Sequence, residues 1–232
     1  MKALLVNPAF PPTFWSLDRV MNMLNKGSTH PPLGLLTVAA LLPDDWELKL
    51  VDLSFQRISE SDWQDCDLVL VTGMMVQHRG LVQTVREAAR RGKPAVVGGS
   101  YAYHFPEEIL RAGADVVVRG EGEITVPRLV DNLRRGRKER IIEADRTADL
   151  TESPAPRYDL IDLNRYADMS VQFSRGCPFA CEFCDVTLML GKKVRTKTPE
   201  QVLQELETLY RMGWRRAVFF VDDNFLGNPI KT

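Results

Sequence analysis

FSRGCPFACEFCDVT, residues 173–187, places three cysteines within eight residues. Cys177, Cys181 and Cys184 follow a C-x3-C-x2-C spacing. Cysteine thiolates hold iron–sulfur clusters, and a four-iron cluster ordinarily takes four of them. Three ligands leave one iron without a protein ligand, and an open iron can bind and activate a small molecule. The spacing therefore predicts a [4Fe-4S] cluster that takes part in chemistry as well as in electron storage.

Two other uses of the three thiols stay open at this point. A structural zinc site usually takes four Cys or His ligands in separated pairs. The only other cysteine is the distant Cys66, and His30, His78 and His104 are isolated from the motif. A disulfide framework is typical of short secreted chains with many cysteines. The pattern therefore favours an iron–sulfur cluster over zinc or disulfides.

The segment RGCPFACEFC resembles the signature of the radical S-adenosylmethionine (SAM) superfamily. The resemblance implies that SAM chelates the open iron and that the reduced cluster cleaves SAM to a 5′-deoxyadenosyl radical. It also implies that Phe183 lies against the adenine of SAM. Asp222, Asp223 and Asn224 follow a later strand at the position of a polar motif that binds the SAM amino group. A turn and a helix N-cap are an equal alternative for these three residues.

Composition narrows the class of protein. The chain has 232 residues, with 44% hydrophobic and 26% charged residues and a formal net charge of -1. This balance gives no electrostatic reason to expect nucleic-acid or anionic-membrane binding. The apolar runs are shorter than the roughly 20 residues of a membrane span. The N-terminus reads as a first strand, and a thiolate cluster suits the reducing cytoplasm.

Residues 1–140 alternate short apolar strands with amphipathic or apolar helices, which predicts a doubly wound parallel sheet of the Rossmann-like α/β class. The predicted strands cover residues 2–6, 47–52, 67–73, 94–99 and 115–120. The predicted helices cover residues 33–42, 81–92, 105–113 and 125–136. A helix at 33–42 that is apolar on most sides is expected to be buried.

Glycine-bearing loops follow three of these strands, at the edge where such sheets bind ligands. Glycine lets a backbone approach a large flat ligand closely. No G-x-G-x-x-G follows the first strand, so a dinucleotide is not favoured. Ordinary turns are the alternative reading of each glycine alone. The candidate cofactor-binding residues in these loops are Thr72, Gly73, Gly98, Gly99, Ser100, Gly120 and Glu121.

The segments VVGGSYAYHFPEE and VVRGEGE make this part of the chain similar to the cobalamin-binding domain of class B radical SAM proteins. Cobalamin mutases carry a D-x-H-x-x-G motif after the first strand, whose histidine ligates cobalt. The matching position here reads NPAFPPTFW and has no histidine, so the lower cobalt ligand is left open. His78 and His104 near loop ends fit surface roles better. The segment 14–34 is expected to be either a ligand-covering loop or a core helix around 16–24.

Composition changes after residue 140, and we expect a linker over 141–165 and a second domain over 166–232. There, a strand leads into the cysteine motif, and a helix follows with Thr198 and Gln201 as a capping box. A second buried strand then ends in Asp222. This strand–helix–strand order predicts the start of a radical SAM (β/α) partial barrel that is incomplete, with one edge unpaired. The run of Lys192, Lys193, Arg195 and Lys197 is typical of a solvated loop, with a contact to the SAM carboxylate as the alternative.

HPPLGLLTVAALLP, QFSRGCPFACEFCDVT and VFFVDDNF together resemble the hopanoid C2 methylase subgroup. The resemblance implies a cobalamin-dependent radical SAM methyltransferase acting at an unactivated carbon of a small-molecule or lipid substrate. A deoxyadenosyl radical would abstract hydrogen, methylcobalamin would donate the methyl group, and a flavodoxin or ferredoxin would supply electrons. The fragment alone is expected to be inactive. Another radical SAM reaction, such as a rearrangement or ring contraction, and a non-catalytic cobalamin or redox sensor are the alternatives. Methylthiolation would require further N-terminal cysteines.

Overall fold

A computed structural model describes residues 1–13 and 17–227. Within these ranges, six parallel strands form one sheet in the order β2-β1-β3-β4-β5-β6. The strands are β1 Lys2–Asn7, β2 Glu47–Asp52, β3 Leu68–Thr72, β4 Ala95–Gly98, β5 Val116–Arg119 and β6 Ile141–Glu143. Continuous apolar strands such as β1 suit a parallel sheet because both of its faces are covered.

Helices cover both faces of this sheet. The helices of this part are α1 Asp18–Met23, α2 Leu33–Leu41, α3 Glu60–Asp65, α4 His78–Arg90, α5 Ser100–His104, α6 Pro106–Ala112 and α7 Gly122–Arg134. One core joins α2 and α7 to one face, and a second core joins α3, α4 and α6 to the other. The predicted doubly wound α/β class is confirmed. The short α5 was not predicted, and α7 begins at Gly122, before the predicted start at residue 125.

The strand order places a topological switch point between β1 and β3, which lie side by side with their connections on opposite faces of the sheet. Ligands of open α/β sheets bind beyond the carboxyl ends of the strands near such a point. The loops after β3, β4 and β5 all open at that edge. The fold therefore gathers the predicted glycine loops along one edge.

Residues 144–168 connect the sheet to the second part without long regular elements. The stretch is irregular, as a linker should be, but it is packed against the sheet. Tyr158 and Tyr166 are fully buried. The Tyr166 hydroxyl donates to Asp52 Oδ2 at the end of β2 over 3.1 Å. The boundary at residue 140 stays a prediction, and β6 extends the sheet to Glu143.

The second part begins with β7 Met169–Val171, which pairs in parallel with β10 Val218–Phe220. The helix α9 Pro199–Arg211 connects them. Between β7 and α9 lie β8 Ser174–Arg175, α8 Val186–Leu190 and β9 Arg195–Thr196, with β8 and β9 antiparallel. This β-α-β unit is the start of the predicted barrel.

The expectation that β10 is buried is wrong. Phe219 and Phe220 are 53% and 36% exposed. Within the described residues β10 pairs only with β7, so its far edge and one face lack a covering layer. Elsewhere in the described ranges, no helix has both the length and the apolarity needed to cross a bilayer.

The α9 capping box forms as predicted and has a second role. Thr198 Oγ1 accepts from the backbone N–H of Gln201 over 3.2 Å, and Gln201 Oε1 accepts from the backbone N–H of Thr198 over 2.8 Å. Gln201 Nε2 also lies within 3.1–3.2 Å of the carbonyl oxygens of Leu150, Thr151 and Ser153. The same side chain therefore caps the helix and holds the connecting segment.

We expect Gln201→Glu to lower the free energy of unfolding by about 1–3 kcal/mol, because it keeps the capping acceptor but removes the donor to those carbonyls. Thr198→Ala, which removes only the cap, should cost about 1 kcal/mol. Urea unfolding at neutral pH measures both. Gln204→Glu, on the exposed side of the same helix, is the matched control and should stay within about 0.5 kcal/mol of wild type. Equal stability of wild type and Gln201→Glu would contradict the second role.

Candidate cofactor cavity and cluster loop

The loop that carries the cysteines, residues 176–185, is called the cluster loop here. It starts at Gly176, whose φ of +93° is a left-handed conformation. A Cβ at this position would lie 2.5 Å from the Lys193 carbonyl oxygen. The Cys177 amide donates to the Gly191 carbonyl over 3.2 Å. The loop is therefore seated on the backbone of residues 191–193, and glycine is required where the two segments meet.

All three cysteines of the motif are free thiols on this one loop, Cys181 exposed and Cys177 and Cys184 half-buried. Cys184 donates its amide to the Cys181 carbonyl over 3.1 Å, which closes a turn between them. Asn224 Nδ2 lies 3.5 Å from Cys177 Sγ. Among the described residues, no three Cys, His, Asp or Glu side chains converge on a single ion. A four-iron cluster offers each thiolate a different iron, so three free thiols on one loop fit that group.

The Asp222–Asn224 segment lies next to the cluster loop, as its sequence position predicts. Asp222 Oδ2 accepts from the Phe173 amide over 3.1 Å, and Oδ1 accepts from the Ser174 hydroxyl over 2.5 Å and from the Ser174 amide. This carboxylate therefore ties the end of β10 to the entry of the cluster loop. Burial, with the neighbouring Asp222 charge, raises the pKa of Asp223. Phe183 projects from the loop with 94% of its surface exposed.

A cavity of about 290 Å³ lies between the carboxyl edge of the sheet and the cluster-loop region. Four residues of the predicted glycine loops line it: Thr72, Gly99, Gly120 and Glu121. The predicted Gly73, Gly98 and Ser100 are adjacent in sequence but do not line it. Gly99 has φ +91°, and a Cβ there would lie 2.6 Å from Thr72 Oγ1. A side chain at this position would therefore be strained and would collide with the cavity wall.

Sequence reasoning missed two walls of the cavity. The side of α2 with Leu33, Gly34 and Val38 forms one, although the helix was expected to be buried. Gln172 and Met189, from the cluster-loop region, belong to the other. A second cavity of about 210 Å³ adjoins the first and shares part of its lining. Gly34, a glycine inside a predicted helix that is otherwise mostly apolar, was the sequence signal that could have identified α2 as a cavity wall.

A buried ion network joins the two parts of the chain beside this cavity. Arg195 Nη1 donates to both oxygens of Glu121 over 2.9 and 2.8 Å, and to the Ala148 carbonyl over 2.6 Å. Arg175 Nη1 donates to Glu121 over 3.1 Å and to Glu123 over 2.9 Å. The four side chains are only 3–12% exposed. The start of α7 is thereby fixed to the two strands that flank the cluster loop.

The expectation that the basic run is a solvated loop is wrong for half of it. Arg195 lies in the ion network, and Lys197 forms a buried ion pair with Glu205 of α9. Lys192 and Lys193 are exposed, as expected. Lys192 and Lys193 lie in a surface turn, whereas Arg195 belongs to the strand β9. The number of charged residues in a segment does not show which of them become buried.

His78 and His104, which lie near loop ends, both contact other protein groups. His104 Nε2 lies 2.8 Å from Asp185 Oδ2 at the start of α8, and Tyr103 Oη donates to the Leu188 carbonyl over 3.1 Å. The helix α5 therefore braces α8. His78 Nδ1 contacts a backbone carbonyl over 3.0 Å, and neither histidine lines the cavity. In the segment 14–34, residues 14–16 lie outside the described ranges, and α1 that follows leaves Met23 86% exposed.

We expect Glu123→Gln to cost about 1–3 kcal/mol at pH 7, because it removes one of the charges that compensate buried Arg175. Burial opposes ionisation, but the Arg175 charge outweighs it and holds the pKa of Glu123 below its ordinary value. A carboxyl with a lowered folded pKa stabilises the fold above its unfolded pKa, and that stability is lost as the pH falls through the folded pKa. The stability difference between Glu123→Gln and wild type should therefore shrink below about pH 4.5.

Urea unfolding of both proteins at pH 7, 5 and 4 measures this difference. Glu207→Gln removes an exposed ion pair of α9 and is the control, with an expected cost within about 1 kcal/mol. A difference between Glu123→Gln and wild type that does not change with pH would contradict the predicted coupling to Arg175.

Comparisons with known families cover most of the chain. The family description "B12 binding domain" matches residues 20–130, and "Radical SAM superfamily" matches residues 171–231. The chain is 50% identical over 228 residues to an uncharacterized methyltransferase, sll1242, of Synechocystis sp., covering 98% of the chain and 42% of that protein. It is 32% identical over 232 residues to the hopanoid C-2 methylase of Rhodopseudomonas palustris, covering 98% of the chain and 44% of the relative. The chain therefore spans less than half the length of these two relatives.

Two solved structures share the fold. The cobalamin-dependent S-adenosylmethionine radical enzyme OxsB, solved with aqua-cobalamin and S-adenosylmethionine, aligns with a TM-score of 0.69 at 17% identity, over 100% of this chain and 35% of OxsB. The radical S-adenosylmethionine methyltransferase TsrM from Kitasatospora setae, solved with cobalamin and a [4Fe-4S] cluster, aligns with a TM-score of 0.64 at 20% identity, over 97% of this chain and 48% of TsrM. At these identities the likeness establishes the fold, a B12-binding type of sheet followed by the start of a radical SAM barrel.

Proposed function

We propose that this chain, which belongs to the radical SAM proteins that carry a B12-binding domain, is the cofactor-binding part of a cobalamin-dependent methyltransferase acting at an unactivated carbon. One observation carries the proposal. A single cavity takes its walls both from the glycine loops of the sheet and from residues next to the cluster loop, such as Gln172 and Arg175. Two cofactors bound at these two places would face the same space.

In this proposal Cys177, Cys181 and Cys184 would hold a [4Fe-4S] cluster that leaves one iron open for SAM. Phe183 would lie against the adenine of SAM. Asp223 and Asn224 are candidate contacts of its amino group. Asp222 would act through the backbone at 173–174, since its carboxylate already accepts three hydrogen bonds. When bound, the cluster with SAM supplies the radical that activates an inert C–H bond, and cobalamin supplies the methyl group.

Cobalamin would lie along the carboxyl edge of the sheet. The first cavity alone is small for such a ligand, but the adjoining second cavity lengthens the available space. Backbone groups and small side chains suit the approach of a flat ring. They belong to the candidate residues Thr72, Gly73, Gly98, Gly99, Ser100, Gly120 and Glu121.

The side chains of this chain bind, orient and exclude water. The ion network of Glu121, Glu123, Arg175 and Arg195 holds the cluster loop against the start of α7. Asn224 Nδ2 donates to Cys177 Sγ over 3.5 Å and so links the end of β10 to the first cysteine of the motif. Leu33 and Val38 of α2 give the cavity an apolar wall, which limits water next to reactive groups.

We infer a small-molecule or lipid substrate, an electron donor of the flavodoxin or ferredoxin class, and a cytoplasmic location. The three free thiols of the cluster loop support the location, because a reducing compartment keeps thiols from pairing.

Electron paramagnetic resonance on the anaerobically reconstituted, dithionite-reduced protein tests the cluster. We expect a four-iron signal that shifts when SAM is added and disappears in Cys181→Ala, because each thiolate holds one iron. Cys66→Ala, at a buried cysteine of the sheet domain, is the matched control and should keep the signal. Stoichiometric zinc without an iron signal would overturn the proposal, and a cluster signal insensitive to SAM would favour a redox sensor.

Gly34→Phe tests the cavity. Gly34 lines the cavity, and a Cβ added there meets no atom within 4 Å, so the substitution fills the cavity without a clash at the backbone. We expect the affinity for hydroxocobalamin, measured by absorbance titration, to fall at least about tenfold, equal to 1.4 kcal/mol. Gln83→Phe adds the same ring on the exposed side of α4 and should not change the affinity. Equal affinities of wild type and Gly34→Phe would place cobalamin elsewhere.

A further inference from the structure

The surface behind the cluster loop carries a group of exposed cations. Lys192 and Lys193 lie in the turn between α8 and β9, and both are exposed. Neither forms an ion pair with any residue in the described ranges. Arg146 is 70% exposed and has only a loose contact, 3.5 Å, with Asp145. We call Arg146, Lys192 and Lys193 the basic patch.

The two segments of the basic patch are adjacent in space. A Cβ added at Gly191 would lie 3.4 Å from Thr147 Cγ2, so the turn at 191–193 packs against the loop after β6. Arg146 and Gly191 also line the second cavity together. The patch is therefore one surface built from both parts of the chain.

This surface lies directly behind the first cysteine of the motif. The Gly191 carbonyl accepts from the Cys177 amide over 3.2 Å, and the Lys193 carbonyl packs on Gly176. One layer of backbone thus separates the basic patch from a predicted iron ligand. A redox partner seated on Lys192 and Lys193 would come close to the cluster without entering the first cavity, because neither lysine lines it.

The rest of the basic run shows that these cations are not needed for packing. Arg195 and Lys197 are buried and paired with Glu121 and Glu205, whereas Lys192 and Lys193 extend into solvent. A clustered positive charge of this kind attracts an acidic protein and raises its association rate by about 10- to 1,000-fold at low salt.

We propose that the basic patch is the docking site of an acidic one-electron carrier protein, a flavodoxin or a ferredoxin, that reduces the cluster. The inference rests on the proposed function, because it needs a cluster on the three cysteines. In the step, the carrier is oxidised by one electron, the oxidised cluster is reduced by that electron, and no covalent bond forms or breaks. Contacts between exposed charges weaken with salt, so both docking and reduction depend on ionic strength.

The test uses the full chain, reconstituted anaerobically, with reduced flavodoxin or reduced ferredoxin as the electron source. Stopped-flow absorbance follows the reduction of the cluster. In Lys192→Glu/Lys193→Glu we expect the rate at low salt to fall at least about tenfold and its salt dependence to disappear. Isothermal titration of the oxidised carrier should show weaker binding by a similar factor. The milder Lys192→Gln/Lys193→Gln should show an intermediate effect, and it replaces the reversal variant should that variant fail to fold.

Two comparisons separate the possible failures. Lys138→Glu/Arg140→Glu makes the same charge change just before β6, at the amino-terminal ends of the strands and away from the basic patch. Its cluster should be reduced at the wild-type rate. Dithionite, a small reductant that needs no docking site, should reduce all variants equally. A wild-type protein that holds no dithionite-reducible cluster would overturn the proposed function itself. Equal reduction by both carriers in the 192/193 variants and wild type, or none in wild type, would overturn the docking site alone.

Discussion

The cluster loop and the sheet are held in one arrangement by charges that are almost fully removed from water. Glu121 and Glu123 stand at the start of α7, and Arg175 and Arg195 stand on the two strands that flank the cluster loop. A buried ion network contributes little net stability, because desolvation offsets much of the attraction, but the loss of one partner is costly. Such a network fixes geometry. Here it fixes the distance between the carboxyl edge of the sheet and the cluster-loop region, which together form the cavity.

Two further sets of contacts hold the cluster-loop region, one from the sheet and one from the end of β10. The helix α5, which follows the glycine loop after β4, reaches α8 through His104 and Tyr103. Asp222 closes the entry of the cluster loop from the other side. These contacts come from separate elements and tie the cluster-loop region both to the sheet edge and to the end of β10. A site that joins two cofactors requires this kind of fixed spacing.

Position also divides the charged residues of the chain into two classes. Arg195 and Lys197 are buried and form ion pairs with carboxylates. Lys192 and Lys193 face water, and they follow Gly191, whose carbonyl accepts from the Cys177 backbone amide. Buried cations without partners are costly, so the first pair is necessarily structural. The second pair carries no such constraint and is available for a partner.

Local periodicity, spacing and turn chemistry were enough to predict strands β1 to β5, the doubly wound class, the α9 cap and the cysteine motif, but not the short helices α3 and α5. The same patterns predicted that Thr72, Gly99 and Gly120 lie together at the carboxyl edge of the sheet, since parallel strands end together. Contacts formed in the folded chain decided the rest: Glu121 pairs with Arg195, one side of α2 becomes a cavity wall, and β10 stays exposed. These outcomes depend on contacts between residues far apart in sequence and on which strands have neighbours, and no local pattern records either.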